Sequence, residues 1–176
     1  MREIEIVNAA GAVTYRNSFI TDLEVGPDTV VDLAACGQML EKICLPAGRG
    51  RAAVVVPHGT LFGDGISARI KADLLEKFNL HTIVRLREGV FEPYTDIATN
   101  LLFFDTSGPS TDVWFYEQPE PEGRKKYSKT APMAFEEFEA CLSWWNDRCE
   151  NERAWKVSAK ELIERDEKGS VVKCNL

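Results

Sequence analysis

The run Ala52-Ala-Val-Val-Val-Pro57 limits the folds open to this chain more than any other stretch. It is unbroken, apolar and rich in β-branched residues, and a proline ends it. A strand buried on both faces of a parallel sheet has this pattern. Turn chemistry follows in His58–Gly65. Beyond it Ile66, Ile70, Leu74 and Phe78 recur at helical spacing, with Arg69, Lys71, Asp73 and Glu76 between them. Thr82–Leu86 is a second β-branched run and Thr99–Phe104 a third. Strand, helix and strand in one crossover predict a right-handed βαβ unit with parallel strands. The loops leaving their carboxyl ends, His58–Gly65 and Arg87–Ala98, then share one rim of the sheet. Open α/β sheets bind ligands at that rim.

The rest of the chain reads around this unit. Ile4 and Ile6 alternate with Glu3 and Glu5, Asn8–Gly11 is turn-like, and residues 1–16 suit a hairpin. Asp28 can cap a mostly buried helix carrying Val30, Val31, Leu33, Ala34, Leu40 and Ile43. Val113–Tyr116 is a short aromatic strand. Arg124, Lys125, Lys126 and Lys129 cluster in a Pro- and charge-rich run that suits a solvated loop or a phosphate contact. Ala134–Arg148 is helical, with Phe135, Phe138, Leu142 and Trp145 as its apolar stripe. Ser158-Ala-Lys-Glu161 is a capping box that opens a further short helix. The chain thus divides into an N-terminal segment (1–45), an α/β portion (46–122) and a helical tail (123–176).

Composition narrows the function. At 176 residues the chain suits one domain. It shows no signal-peptide core and no apolar run fit to cross a bilayer, so the cytoplasm is the expected compartment. The five cysteines form no CxxC pair and the histidines are His58 and His81, so zinc-ligand spacing is absent. Lys+Arg 21 against Asp+Glu 28 gives a net charge of −7, the wrong sign for gripping nucleic acid unaided.

Few residues stand out for chemistry. Gly48-x-Gly50 precedes a strand, whereas a phosphate cradle needs its glycines after one; a tight helix-to-strand turn explains the pair. His58, alone at a strand end, is either a general base or ordinary polar surface. Phe91 and Tyr94 lie on the second rim loop, where exposed rings can stack on a flat ligand. The pattern equally allows Phe91 to cap the core.

Several stretches together resemble a known family. They are Gly50-Arg51-Ala-Ala-Val-Val-Val-Pro57, Gly59-Thr-Leu-Phe62, Leu80-His-Thr-Ile-Val-Arg85, Gly89-Val-Phe91 and Thr99-Asn-Leu-Leu-Phe-Phe104. Trp114-Phe-Tyr116, Tyr127-Ser-Lys-Thr130, Phe135-Glu-Glu-Phe138 and Asn151-Glu-x-x-Ala-Trp-Lys-Val157 continue the series. In this order they resemble the modification subunit of type I restriction–modification systems, an N6-adenine DNA methyltransferase. The resemblance implies a seven-stranded Rossmann-like sheet that binds S-adenosylmethionine. Ala52–Val56, Thr82–Leu86 and Thr99–Phe104 would be its last three strands, the third inserted antiparallel beside the second. It places the Phe91 loop on the target-base side and implies a stacking role for Phe91; Tyr94, His58, Lys125 and Lys126, read from the residues themselves, complete the candidate contacts to base or DNA. It also implies a DNA-specificity subunit as partner, and a restriction subunit beside it.

Two family features are missing. No strand is followed by the family's glycine-rich cofactor turn. None of the eight prolines follows Asn or Asp and no two are adjacent, so the Asn/Asp-Pro-Pro-aromatic motif that holds the target amino group is absent. His58 stands where the family would have an acidic residue, and Arg87 where it would have proline. Residues 1–45 match weakly or not at all. The expectation is therefore a partial Rossmann-like methyltransferase sheet, its last strands plus a helical C-terminal tail, inactive alone. An assembly module that binds a specificity subunit is the alternative, and an unrelated α/β enzyme using His58 the third reading. The open flank of Ala52–Val56 calls for cover from the N-terminal hairpin or from a second copy of the chain.

Overall fold

The computed structural model describes residues 50–120, 123 and 126–176, and before them the backbone of five short strands. Those five are β1 (Ile4–Val7), β2 (Val13–Asn17), β3 (Leu23–Glu24), β4 (Val31–Asp32) and β5 (Ile43–Cys44). Then come β6 (Arg51–Pro57), a 3-10 turn at His58–Phe62, α1 (Ile66–Lys77), β7 (Asn79–Arg85), β8 (Thr99–Asp105) and β9 (Asp112–Glu117). A 3-10 turn at Phe135–Phe138 leads into α2 (Glu139–Asn146), followed by β10 (Ala154–Ser158), β11 (Ile163–Arg165) and β12 (Val171–Cys174).

Six strands form one mixed sheet in the order β10-β9-β7-β8-β6-β4. β8 runs antiparallel to both β6 and β7, which makes those two parallel, and β9 and β4 are parallel to their neighbours β7 and β6. The parallel pair expected from the crossover is present, with the third apolar run inserted between its members. Four strands therefore end at one rim.

Alternation along each strand gives the sheet two covered faces. Val54, Val56, Ile83, Leu102, Phe104, Val113 and Phe115 pack with Ala68 and Leu75 of α1. On the other face Val84 and Tyr116 pack with Cys141 and Trp144 of α2, and Leu101, Phe103 and Trp114 lie against them. Part of each expected stripe packs against the core, Leu74 and Phe78 at α1 and Phe138 and Trp145 at α2, but the most deeply buried residues are others. Ala68, Lys71, Ala72 and Leu75 form the buried side of α1, while Ile66 is exposed. The small Ala68 and Ala72 let the helix approach the sheet closely, and Lys71 finds carbonyl partners there. On α2, Cys141 and Trp144 are buried, whereas Phe135 and Leu142 face outward.

The tail departs from an all-helical reading. α2 lies within the expected Ala134–Arg148 helix, but Ser158–Glu161 closes a turn in which the Glu161 N–H donates to the Ser158 carbonyl. Strands surround that turn. β10 extends the main sheet antiparallel to β9, and β11 pairs with β12. Cys174 and Leu176 join the α1-side core, so burial of these apolar residues wins over the local capping signal. The tail thus adds one strand to the main sheet, and β11 and β12 form a separate two-stranded sheet.

At the N-terminal end, β1 and β2 pair antiparallel, as the hairpin reading requires. They form a sheet of their own and do not cover β6. That flank is met instead by β4, where Val31 pairs with Val54 and Asp32 with Val55. Val31–Asp32 is thus a strand and not part of a helix; the rest of the expected Asp28–Ile43 helix lies outside the described residues, apart from Ile43, which is in β5. No helix among the described residues is long and apolar enough to cross a membrane.

Candidate functional site at the carboxyl rim

The rim at the carboxyl ends of β6, β7 and β9 holds a cavity of about 430 Å³. It is lined by His58, Arg85, Leu86, Arg87, Glu88, Ala98, Glu117 and Glu120. Both loops expected to share the rim contribute to it, the first through His58 and the second through Arg87, Glu88 and Ala98. They are joined directly, since the His58 N–H donates to the Ala98 carbonyl at 2.8 Å.

His58 is half-buried. Its ring meets Phe62 edge-on at 4.8 Å, and its Nδ1 lies 3.4 Å from Asn100 Nδ2. The turn carrying it is anchored from α1: Lys71 Nζ donates to the Leu61 carbonyl at 2.7 Å and the Gly63 carbonyl at 3.0 Å. Burial pushes the Lys71 pKa down, while Cys174 and Asp64 pull it up.

Two arginines and three glutamates line the cavity. Arg87 Nε donates to the Gln118 carbonyl at 2.8 Å, and its Nη1 pairs with Glu117 at 3.1 Å. The Arg85 guanidinium instead lies 5.2 Å from the Phe115 ring centre and 5.3 Å from that of Trp155. Those two rings stack within 6° of parallel. Burial lowers the Arg85 pKa and Glu117 opposes that shift. The sequence assigned no site role to Arg85, Arg87, Glu117 or Glu120. The available signal was strand parity: Arg85 and Glu117 are the last residues of β7 and β9 and sit opposite each other in register.

The expected contact residues separate in space. His58 lines the cavity. Phe91 is partly buried against the α2-side cluster, which is the core-capping alternative. Tyr94 is 86% exposed. Lys126 grips both oxygens of Asp96 at 2.9 and 2.8 Å, which ties the strap at 126–128 to the second rim loop. Lys125 lies outside the described residues.

A methionine-type cofactor needs a glycine-rich turn whose amides and open space face the ligand. The turn after β6 contains Gly59, Gly63 and Gly65, but it is closed inward. Its Leu61 and Gly63 carbonyls are held by Lys71, and a Cβ at Gly63 would lie 2.8 Å from Ser67 Cβ. The described residues do not fit S-adenosylmethionine at this turn.

Comparison with known proteins gives the lineage. The family model described as N-6 DNA Methylase matches residues 14–174. This match takes in most of the segment expected to diverge. The methylase subunit of the type I restriction enzyme EcoEI from Escherichia coli is 55% identical over 127 residues, covering 68% of this chain and 26% of that protein. A crystal structure of a modification subunit from Vibrio vulnificus YJ016 superposes with a TM-score of 0.71 at 62% identity, over 75% of this chain and 28% of the other. A structure reported for complex assembly and conformational transition of the type I restriction–modification system gives a TM-score of 0.61 at 44% identity, over 64% and 26%. The chain spans about a quarter of the length of these relatives.

Proposed function

The chain belongs to the N-6 DNA methylase family, and on that premise we propose that it serves adenine-N6 methylation of DNA as part of a type I modification subunit. The family match over residues 14–174 carries this reading. The reaction is transfer of a methyl group from S-adenosylmethionine to the adenine amino group. This stretch supplies the last strands of the sheet and their rim, and other polypeptide must supply the methyl-donor cradle and the Asn/Asp-Pro-Pro-aromatic motif. His58, Phe91, Tyr94, Lys125 and Lys126 are the proposed contacts to base or DNA, with Tyr94 the ring most available for stacking.

A net charge of −7 supports borrowed phosphate contacts, so the partner is a DNA-specificity subunit, with a restriction subunit beside it. A homodimer through the sheet edge is the weaker arrangement, because β4 already pairs with Val54 and Val55. The compartment is the cytoplasm, where such a complex meets DNA. Incubation of the chain alone with tritiated S-adenosylmethionine and mixed DNA should leave the DNA unlabelled. Label above background would overturn the assignment of donor and acceptor residues to other polypeptide.

A further inference from the structure

The tip of the second rim loop is held in place by little. None of residues 92–97 is buried, and Tyr94 and Ile97 are 86% and 61% exposed. The backbone bonds of the tip stay within the loop; the longest in reach runs from the Gly89 N–H to the Asp96 carbonyl at 3.2 Å. Among the described residues, one side-chain bond ties residues 92–97 to another segment, and it is the grip of Lys126 Nζ on both Asp96 oxygens. Ammonium and carboxylate are each about half exposed. Segments with few buried contacts open locally, well below the free energy of global unfolding. An ion pair at that point decides how often the tip leaves the strap.

Charge decides what can free the tip. Asp96 holds the Lys126 pKa above the usual lysine value, and Glu92 and Glu88 of the same loop add to that pull. Lys126 is thus the counter-ion of an acidic loop, and it cannot stay on Asp96 while it binds another anion. An exposed pair contributes little, so an outside anion can compete for the ammonium. A phosphate that captures Lys126 removes the attraction on Asp96 and sets a like charge near it, so it favours the open tip over the closed one. We propose that the Lys126–Asp96 pair is a latch on residues 92–97, released when a phosphate group takes Lys126 from Asp96. Release lets Tyr94 and Ile97 move, while Phe91 stays packed against the α2-side core. The proposal rests on the nucleic-acid reading above only for the source of the phosphate.

Amide hydrogen exchange of the ¹⁵N-labelled chain tests it, read at Gly89, whose N–H is held by the Asp96 carbonyl. Asp96→Asn and Lys126→Met should each exchange about 1.5 to 5 times faster there than the native chain, with Val54 in β6 unchanged. Sodium phosphate should speed exchange at Gly89 in the native chain more than sodium chloride of equal ionic strength. In both variants the two salts should act alike. Native rates in the variants would show that the pair latches nothing, and equal effects of the two salts on the native chain would show no release by phosphate. Either result overturns the proposal. A short DNA duplex at low salt takes the place of phosphate in a last arm. Acceleration by phosphate with none by the duplex would uphold the latch and remove Lys126 as a contact to DNA, so the two readings fail separately.

Discussion

Gly89 and Tyr127 approach so closely that a Cβ built on the glycine would lie 2.1 Å from the Tyr127 carbonyl oxygen. Gly89 also has a φ of +77°, in the left-handed region that side chains rarely enter. The strap crosses the base of the second rim loop here, and the Tyr127 N–H donates to the Glu88 carbonyl at 3.2 Å.

Gly89→Ala should therefore do two kinds of damage. The backbone strain alone costs roughly 1–2 kcal/mol, and the clash is with backbone, which has no rotamer to yield. A total loss near ~2–4 kcal/mol is expected, at the upper end for single substitutions. Urea unfolding should show it, and amide exchange should speed up first at Glu88 and Tyr127. Loss below about 0.5 kcal/mol, the level of an ordinary surface change, would mean that the strap does not rest on the loop.

Tyr127→Phe tests the other side of the same contact. The Tyr127 side chain is fully buried, and its hydroxyl donates to Glu137 Oε2 at 2.5 Å. A hydrogen bond to a charged group contributes about 1.5–3 kcal/mol. The substitution keeps the ring, so the loss should fall in that range with the denaturant slope unchanged. The Glu137 backbone carbonyl also accepts from Gln118 Nε2, so the Gln118 side-chain amide resonances should move as well.

These contacts show what the sequence could and could not convey. The core strands were legible because Ala52–Pro57 is apolar without interruption, and Thr82–Leu86 and Thr99–Phe104 are β-branched and apolar except at Arg85 and Asn100. The rim was legible too, since a crossover of fixed hand places both loops at one end. The faces of α1 and α2 were legible only in part, through Leu74, Phe78, Phe138 and Trp145. Periodicity favours large residues, and it passed over Ala68 and Ala72, whose value lies in close approach. Lys71 read as solvated because nothing local reveals the two carbonyls that await it. Arg85 was quoted within a family motif, but its aromatic platform comes from β9 and β10. Trp155 is 70 residues further along the chain and no window of local sequence can register it.

His81 gives a prediction in pH. Burial pushes its pKa below the usual histidine value, Arg148 adds to that shift, and Asp105 opposes it. The folded form therefore takes up its proton at lower pH than the unfolded chain. As pH falls below about 6.5, the unfolded state gains a proton that the fold refuses, and stability is lost. The loss levels off once pH is below the folded pKa. Unfolding free energies measured between pH 7.5 and pH 5 should decline, and His81→Gln should flatten that decline. A slope identical in the two proteins would remove His81 as its source.

Lys71 sets two opposing effects against each other. The residue is only 5% exposed and its burial disfavours the charged form, yet its ammonium supplies the donors for the Leu61 and Gly63 carbonyls. Lys71→Met keeps much of the apolar stem and relieves the buried charge, but it leaves both carbonyls without that donor. An orphaned buried acceptor costs about 1–3 kcal/mol; the Gly63 carbonyl loses its donor, while the Leu61 carbonyl keeps the Leu176 N–H at 3.3 Å. A net loss of roughly 1–3 kcal/mol at pH 7 follows, with faster amide exchange confined at first to residues 58–64. The folded pKa of Lys71 is lowered, so between that value and the unfolded one near 10.5 the unfolded chain holds the extra proton. Native stability contributed by this residue accordingly rises with pH across that window. The difference in unfolding free energy between the native chain and the Met variant should widen as pH is raised through it. A difference that stays constant or shrinks would show that Lys71 carries its full charge in the fold as freely as in water.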